Sequence, residues 1–438
     1  MFRTSVARNL AICLGGTSVY NCYNKDDFIN VKNAMTSSNN NLNYSNRLLL
    51  PTRFYSFSDS NKQALDTPIL HTQPSFSATQ NLRKNTPRKK EITLESFALI
   101  GGTGNKKLVE EISSIIGTKV VDSSINRFAD GEVSIQIHEN VRGKDVYVVQ
   151  SCGSPVNDNI MELLLTVSAV RRSGARRVTA VIPYFAYKHH RRGSPISTKY
   201  QTRFLSSNAM DFAKMLQEMG VDKVISVDLQ RPGQGKEACF FDNQVTLETI
   251  VTTEYFVDYL VQTIFPERSH NIVVVAPNAE SVKKSRNFQL GLQKYLGFDR
   301  VKLTAFFSPD TSSGPTDTEK LEMLGLSSHQ INGADVVIVD DMIDTGGTVV
   351  SLSKKLKDNG ARNIYVCASH GLFTADAAEK IDNSHISKVI VTNTLPKKNN
   401  SDKIVQISVA QLVSNVMTAE HFRTVYSTDS SNEEFSLE

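Results

Sequence analysis

From about residue 92 onward, short apolar runs alternate with longer segments in which apolar residues recur with a helical period. Continuous Val- and Ile-rich runs are typical of strands that are covered on both faces of a parallel sheet. We predict six such strands, at Asp145–Gln150, Val178–Pro183, Val224–Asp228, Asn271–Ala276, Ala334–Asp340 and Asn363–Ala368. The helical segments between them predict βαβ crossovers.

One pattern of strand, helix, glycine and arginine occurs twice. The segments Ser173–Val178 (SGARRV) and Asn359–Ile364 (NGARNI) each follow a helical pattern and lead into a strand. A glycine at this point can adopt the left-handed conformation that closes a helix. Two similar α/β domains in tandem explain the repeat, while the alternative is chance recurrence of a common helix–glycine–strand ending.

The first ninety residues differ in composition from the rest. Residues 1–25 contain three basic residues and no acid, and Arg53–Ser56 resembles a mitochondrial processing site. A cleaved targeting segment would place the protein in a mitochondrion or another organelle. Asp26 and Asp27 end the acid-free stretch early, which argues against a targeting segment. The alternative is a cytoplasmic protein with a disordered extension. Residues 57–92 are rich in polar residues and indicate a linker.

Composition narrows the classes of function. The 438 residues, 40% apolar and 21% charged, are typical of a soluble globular protein of two or three domains. The net charge of +4 is spread along the chain, and no apolar run approaches the roughly 18–20 residues of a membrane span. We therefore expect neither a nucleic-acid nor a membrane partner. The five cysteines lack CxxC spacing, which argues against a disulfide framework and favours a reducing compartment.

The segment Asp340–Thr348 (DDMIDTGGT) carries the strongest candidate chemistry. It runs from the carboxyl end of a buried strand into a helix, which is where open parallel sheets bind ligands. Backbone N–H groups and hydroxyls can hold a phosphate there, at Thr345, Gly346, Gly347 and Thr348. The glycines allow the ligand to approach the backbone closely.

The acids of this segment need a different partner, because carboxylates repel phosphate. Asp340 and Asp341 suit the hydroxyls of a ribose and a hydrated Mg²⁺ ion. The alternative is an ordinary strand-to-helix turn with aspartate caps. Such a turn does not require two adjacent acids, a third at Asp344 and a Gly-Gly pair, so the segment favours a sugar-phosphate site.

The segment Val336–Thr348 resembles the phosphoribosyl diphosphate loop of the phosphoribosyltransferase fold. Other segments resemble the ribose-phosphate pyrophosphokinase family, in the family's order, from about residue 96 to 425. They are Arg127–Glu132, Val141–Val146, Asn157–Leu163, Val178–Tyr187, Ser194–Ser197, Val227–Leu229, His370–Gly371 and Val391–Thr394. The resemblance implies an α/β fold with two tandem phosphoribosyltransferase-like domains, each with a mainly parallel sheet covered by helices. We place the extension at 1–92, the ATP-side domain at 93–246, the ribose 5-phosphate side at 247–427 and a tail at 428–438.

The resemblance also implies an activity. The family uses Mg²⁺ to transfer the β,γ-diphosphoryl group of ATP to ribose 5-phosphate, giving 5-phosphoribosyl 1-diphosphate and AMP for nucleotide biosynthesis. The family's adenine loop matches Phe128, Asp130 and Glu132, and it reaches the ATP of a neighbouring subunit, which implies a homo-oligomer. Its triphosphate loop matches Lys188, His189, His190, Arg191 and Arg192, although a solvated basic turn would look the same. Metal ligands would be Asp228, Gln230, Asp340 and Asp341.

Three departures from the family concern charge. Gln230 stands where the family has a metal-binding histidine, and Asn278–Ser281 replaces a turn rich in Asp and Gly. The stretch Ser308–Gly314 lacks the Lys and Arg of the family's mobile catalytic loop. Catalysis of phosphoryl transfer depends on such cations, so others would have to replace them. The candidates are Lys283, Lys284, Arg191 and Arg192.

Two hypotheses follow from these departures. One is an active but divergent pyrophosphokinase, which the intact sugar-phosphate segment favours. The other is a catalytically impaired regulatory subunit that forms a hetero-oligomer with an active pyrophosphokinase. A plain phosphoribosyltransferase fits less well, because it would not need the first domain.

Overall fold

The computed structural model describes residues 94–188, 208–229, 241, 244–267, 271–307, 322–324, 328–397 and 399–433. The predicted extension at 1–92 and the Ser308–Gly314 stretch lie outside these residues.

The first half of the described chain forms one parallel sheet and a small hairpin. Its elements, in order, are β1 (Phe97–Gly101), α1 (Lys106–Ile116), β2 (Ser123–Arg127), β3 (Val133–Ile137), β4 (Asp145–Val149), α2 (Val156–Arg172), β5 (Arg177–Ile182), α3 (Asn208–Glu218), β6 (Lys223–Val227) and β7 (Thr246–Ile250). The sheet order is β1-β4-β5-β6-β7, with every neighbouring pair parallel. Strands β2 and β3 form a separate antiparallel pair.

The second half forms a larger sheet of the same kind. Its elements are α4 (Thr253–Tyr259), β8 (Ile272–Ala276), α5 (Val282–Leu296), β9 (Val301–Phe307), β10 (Glu322–Leu324), α6 (Ser328–Ile331), β11 (Asp335–Ile343), α7 (Gly347–Asp358), β12 (Ile364–Gly371), α8 (Ala377–Asp382), β13 (Lys388–Thr392), β14 (Ile404–Ile407) and α9 (Ala410–Glu433). The order is β10-β9-β8-β11-β12-β13-β14, and the β10–β9 pair is antiparallel while the other pairs are parallel.

Both faces of each sheet are covered, as the apolar runs predict. Alternate residues of β1 belong to different core clusters: Ala98 and Ile100 pack with helices α2 and α3, whereas Phe97 and Leu99 pack with α1 and α9. Burial of each of the larger side chains, Phe97, Leu99 and Ile100, stabilises the fold by roughly 1.5–3 kcal/mol. The six predicted strands all occur in the two mainly parallel sheets, which confirms the predicted α/β fold.

The predicted internal repeat is also present in the backbone. Gly174 follows helix α2 with φ of 81°, and Gly360 follows helix α7 with φ of 85°. Both glycines therefore adopt the left-handed conformation that ends a helix. The backbone N–H of Gly143 donates to the carbonyl of Gly174 at 2.8 Å, and Gly333 donates to Gly360 at 2.9 Å, so the two turns are tied in the same way.

The arginine of each repeat pairs with an aspartate at the start of the preceding strand. Arg176 donates to both carboxylate oxygens of Asp145 at 2.8 and 2.6 Å. Arg362 does the same to Asp335 at 2.9 and 2.5 Å. The aspartates are buried and the arginines half-exposed, so each guanidinium brings a compensating charge to a carboxylate that water hardly reaches. Each copy of the repeat thus contains the same kind of ion pair, between an arginine and a buried aspartate.

We expect Arg362→Ala to lower the stability of the protein by about 2 kcal/mol or more, because it leaves the buried carboxylate of Asp335 without its charge partner. A fall of several degrees in Tm, measured by scanning fluorimetry, would show this. The control is Lys380→Ala, which breaks an exposed pair with Asp376 at 2.7 Å and should leave Tm unchanged. Equal Tm values for the two variants would contradict the prediction.

Two elements, strand β7 and helix α9, lie near or beyond the predicted boundary between the domains. Strand β7 begins at the predicted boundary of residue 246 and pairs with β6, so the first sheet extends to Ile250. Helix α9, which the sequence places in the second domain, packs against the first: Val413 and Met417 lie in the same core cluster as Phe97 and Leu99. The apolar face of helix α9 therefore completes the core of the first domain, beneath β1 and α1.

Candidate active site

The carboxyl ends of the two sheets face each other. Just after β1, the Asn105 side chain donates to the backbone carbonyl of Asn393, which follows β13, at 2.8 Å. Just after β4, Ser151 Oγ donates to the carbonyl of Thr394 at 2.7 Å. Ligands of open parallel sheets bind at this edge, so the two domains can present their ligands to a common cleft.

The predicted sugar-phosphate segment lies at this edge in the second domain. Strand β11 continues to Ile343, past the predicted end at Asp340, so both adjacent acids still lie on the strand. Gly346 then has φ of 74° and caps helix α7, with the Ala377 Cβ 3.6 Å from where its own Cβ would stand. A side chain would strain this turn. Gly347 and Thr348 open the helix and are exposed, as are Asp344 and Thr345 before it.

The two adjacent acids have different surroundings. Asp340 is 9% exposed, and its Oδ1 accepts from the backbone N–H of Asp341 at 2.9 Å and from Ser281 Oγ at 3.0 Å. Asp341 is half-buried. Burial, together with the neighbouring charge of Asp341, raises the pKa of Asp340 to about 7. Two adjacent carboxylates are therefore held at the carboxyl end of β11.

The acidic pair fits a divalent cation. Mg²⁺ is usually held by one or two carboxylates plus oxygens of water and substrate. Among the residues that the structure describes, no group of three or more His, Cys, Asp or Glu side chains forms a ready metal cage. An ion held by Asp340 and Asp341 would thus depend on substrate oxygens for its remaining ligands, and it would relieve the repulsion between the two carboxylates.

Asp228 is the other predicted metal ligand within the described chain, and its carboxylate contacts other protein side chains. Its carboxylate is buried and lies 3.3 Å from Lys284 Nζ, and it also accepts from the hydroxyls of Thr252 and Ser369. Burial opposes ionisation of Asp228, but Lys284 and the two hydroxyls outweigh it and hold its pKa below the ordinary value. All three of these contacts reach Oδ2, whereas Oδ1 accepts from the backbone N–H of Thr252 at 3.4 Å. The role of Asp228 as a metal ligand therefore stays a prediction.

The two candidate lysines of helix α5, Lys283 and Lys284, differ in their exposure to solvent. Lys284 is 7% exposed, and its ammonium donates to Ser369 Oγ at 2.7 Å besides pairing with Asp228. Its ammonium group is therefore already engaged within the protein, and the predicted catalytic role of Lys284 stays a prediction. Lys283 is exposed. Lys188, from the predicted triphosphate loop, donates to the carbonyl of Asp228 at 3.4 Å and lies over the Tyr184 ring.

Several predicted residues fall outside the described chain. They are His189, His190, Arg191, Arg192 and Gln230.

The predicted adenine loop forms the tip of the β2–β3 hairpin. The backbone N–H of Phe128 donates to the carbonyl of Glu132 at 2.9 Å, and the N–H of Glu132 donates to Asp130 Oδ1 at 3.1 Å. The Phe128 side chain is 60% exposed. A large aromatic side chain fixed at the end of a hairpin is well placed to stack on a flat ligand.

Ser369 and Thr252 join the site although the sequence analysis did not single them out. Both side chains are buried and contact the Asp228 carboxylate, and their hydroxyls lie 3.1 Å apart. Ser369 lies on β12, beside the strand that carries Asp340. Its position near the carboxyl end of a predicted strand was an available clue, but only the folded chain brings Asp228 of the other sheet against it.

Two mainly parallel sheets and a glycine-rich loop with paired acids are typical of proteins with the phosphoribosyltransferase-like fold. Residues 97–220 match the model of the N-terminal domain of ribose phosphate pyrophosphokinase, and residues 319–435 match the phosphoribosyl synthetase-associated domain. The chain is 37% identical to a ribose-phosphate pyrophosphokinase of Aquifex aeolicus over 322 residues, which cover 73% of this chain and 94% of that protein. The chain belongs to the ribose-phosphate pyrophosphokinase family.

Further comparisons agree with this family. The chain is 35% identical to the chloroplastic ribose-phosphate pyrophosphokinase 1 of Arabidopsis thaliana over 358 residues, 81% of each chain. The crystal structure of phosphoribosylpyrophosphate synthetase from Mycobacterium smegmatis is 25% identical and superposes with a TM-score of 0.64. The similarity covers 75% of this chain and 100% of that one, so both domains share the arrangement.

Proposed function

We propose that this protein is an active ribose-phosphate diphosphokinase that forms 5-phosphoribosyl 1-diphosphate and AMP from ATP and ribose 5-phosphate. The observation that carries the proposal is the intact sugar-phosphate segment at the carboxyl end of β11, which faces the first domain. The relatives, each named a ribose-phosphate pyrophosphokinase, support it. They do not favour the regulatory alternative.

The residues of the second domain would bind and orient the sugar. The exposed backbone N–H groups at the start of helix α7, with Thr345 and Thr348, would hold the 5-phosphate. Asp341 would accept hydrogen bonds from ribose hydroxyls and so fix the direction of the 1-hydroxyl. Mg²⁺, held by Asp340 and Asp341, would neutralise charge on the phosphates of ATP when bound.

The proposed enzyme would turn over slowly. With Lys284 buried against Asp228, the exposed Lys283 and the half-buried Lys188 remain as candidate cations within the described chain. Arg191 and Arg192 remain candidates from the sequence. Because cations that meet charge on the transferring group supply much of the rate, we expect turnover at or below the lower end of the roughly 1–100 s⁻¹ typical of kinases.

The test is AMP formation by the purified protein from ATP and ribose 5-phosphate, measured by chromatography with and without Mg²⁺. We expect AMP only when both substrates and Mg²⁺ are present. AMP formation without ribose 5-phosphate would indicate a hydrolase. Activity that appears only after addition of a second, active pyrophosphokinase would contradict the proposal and support the regulatory alternative.

We also propose that the enzyme is a homo-oligomer. The exposed Phe128 at the tip of the β2–β3 hairpin supports this, since an aromatic side chain so far from a core is stabilised when it stacks on a ligand bound by another subunit. Sedimentation would give the number of subunits. As for membranes, no helix among the described residues is long and apolar enough to span one.

A further inference from the structure

The first turn of helix α5 touches carboxylates from both sheets. Ser281, which caps the helix, donates through Oγ to Asp340 at 3.0 Å, at the sugar side of the cleft. One turn later, Lys284 pairs with Asp228, at the end of β6 in the first domain, at 3.3 Å. A single helical turn therefore connects the two strand ends that face each other across the cleft.

Lys284 is the centre of this connection. Its ammonium lies between Asp228 of the first domain and Ser369 of the second, and Ser369 in turn donates to Asp228. Thr252, in the segment that joins the domains, donates to the same carboxylate. Four buried polar groups thus satisfy one another at the boundary between the halves, and a buried charge is held there only when it is so compensated.

The backbone at Asp228 is itself held in an unusual conformation. Its φ is 43°, in the left-handed region that residues other than glycine seldom adopt. Such a conformation persists when the surroundings fix it. Here the Asp228 N–H donates to the carbonyl of Ile250 at 2.9 Å, and Lys284, Ser369 and Thr252 contact the carboxylate.

We propose that Lys284 is a positioning residue, which sets the distance and orientation between the ATP half and the sugar half of the active site by clamping Asp228 against Ser369. This inference rests on the proposed function for its effect on turnover. Lys284 would act through Asp228 and would not touch the transferred group. A shift of about 1 Å between reacting groups can lower the rate about 100-fold. A small movement of the two domains after loss of the clamp would therefore slow the reaction.

The two domains have other attachments, so loss of the clamp would shift them without separating them. Asn105 donates to the carbonyl of Asn393 at 2.8 Å, and the Asn393 side chain donates to Glu111 at 2.9 Å. Helix α9 packs its apolar face on the first sheet. None of these contacts involves Lys284, and we therefore expect Lys284 variants to fold.

The test compares Lys284→Met, which keeps the length and removes the charge, with Lys284→Arg, which keeps the charge. The matched control is Lys294→Met on the same helix, where the lysine side chain is 71% exposed. We expect kcat of Lys284→Met, per ribose 5-phosphate site counted by calorimetry, to fall about 100-fold while ribose 5-phosphate affinity changes less than about twofold. Lys284→Arg should recover most of the rate, and Lys294→Met should match the unaltered protein.

Hydrogen exchange gives a readout that does not depend on activity. Amides of β6 and of residues 250–253 should exchange faster in Lys284→Met and not in Lys294→Met, because the clamp on Asp228 is gone. If Lys284→Met exchanges faster but the unaltered protein shows no turnover, the clamp is supported and the proposed function is contradicted. Unchanged exchange, with kcat per site within about twofold of the unaltered protein, would overturn the clamp.

A second variant covers the case in which Lys284→Met does not fold. Ser369→Ala keeps both charges and removes the hydroxyl between them. We expect the same pattern at smaller size, with kcat about tenfold lower, unchanged ribose 5-phosphate affinity and faster exchange at residues 250–253. A Ser369→Ala protein with normal kcat and normal exchange would overturn the proposal.

Discussion

Replacing Asp341 by alanine is expected to weaken Mg²⁺-dependent binding of ribose 5-phosphate by about 100-fold or more. The half-buried carboxylate of Asp341 stands at the carboxyl end of β11, beside the phosphate turn at Gly346–Thr348. Hydrogen bonds to a charged group contribute roughly 1.5–3 kcal/mol each, and loss of a cation ligand adds to this. Calorimetric titration with ribose 5-phosphate, with and without Mg²⁺, measures the change.

The control for this variant is Asp358→Ala, which removes an exposed acid at the opposite end of helix α7. It should bind ribose 5-phosphate like the unaltered protein. Both variants should melt within a few degrees of the unaltered protein, since neither side chain supports the core. An Asp341→Ala protein with unaltered affinity would show that the sugar phosphate binds elsewhere.

Replacing Asp340 by asparagine is expected to stabilise the protein without ligands and to reduce turnover by about 100-fold or more. Asparagine keeps an oxygen that can accept from the N–H of Asp341 and from Ser281 Oγ. It removes the charge that burial and Asp341 disfavour, and it removes a ligand for Mg²⁺. Stability and activity should therefore change in opposite directions, as is common where function requires a strained site.

The pH dependence of this stabilisation follows from the pKa of Asp340, which is raised from 3.8 in the unfolded chain to about 7 in the folded one. Between these two values the folded state binds the extra proton, so the carboxyl group destabilises the fold increasingly as the pH rises. The cost is complete above pH 7, at up to about 4 kcal/mol. Asp340→Asn should thus raise Tm by several degrees at pH 8 and by much less at pH 5.

Melting curves of Asp340→Asn, the unaltered protein and Asp358→Asn across pH 5–8 test this expectation. Asp358→Asn should track the unaltered protein at every pH, because its carboxylate is exposed. A Tm difference for Asp340→Asn that is the same at pH 5 and pH 8 would show that the buried carboxyl group does not titrate as inferred.

Much of the fold could be predicted because local patterns carry it. Runs such as IVVVA at Ile272–Ala276 are buried throughout and leave little alternative to a covered strand. The glycine and arginine of each repeat predicted a shared helix ending, and the structure adds the ion pairs of Arg176 and Arg362. The loop at Asp340–Thr348 could be found from sequence because its acids and glycines are consecutive, so no tertiary contact was needed to assemble it.

The remaining features depend on contacts between residues far apart in the chain. Lys283 and Lys284 are neighbours of the same charge, and only the position of Asp228 on the other sheet distinguishes the buried one from the exposed one. Likewise, Asp340 and Asp341 are chemically equivalent in the sequence, and Ser281 separates their roles in space. The return of helix α9 to the first sheet has the same origin, since its apolar face fits either domain until the two are assembled.

That returning helix bears on how the protein is made. Residues 97–250 leave the ribosome before helix α9 does, yet the core beneath β1 and α1 is closed by Val413 and Met417 from α9. During synthesis this apolar surface therefore stays open until helix α9 has emerged, and exposed apolar surface makes an incomplete domain prone to aggregation. A stop codon shortly before residue 410 would therefore damage the first domain, although its own coding sequence is intact. The first domain thus has its full core only after helix α9 has been translated.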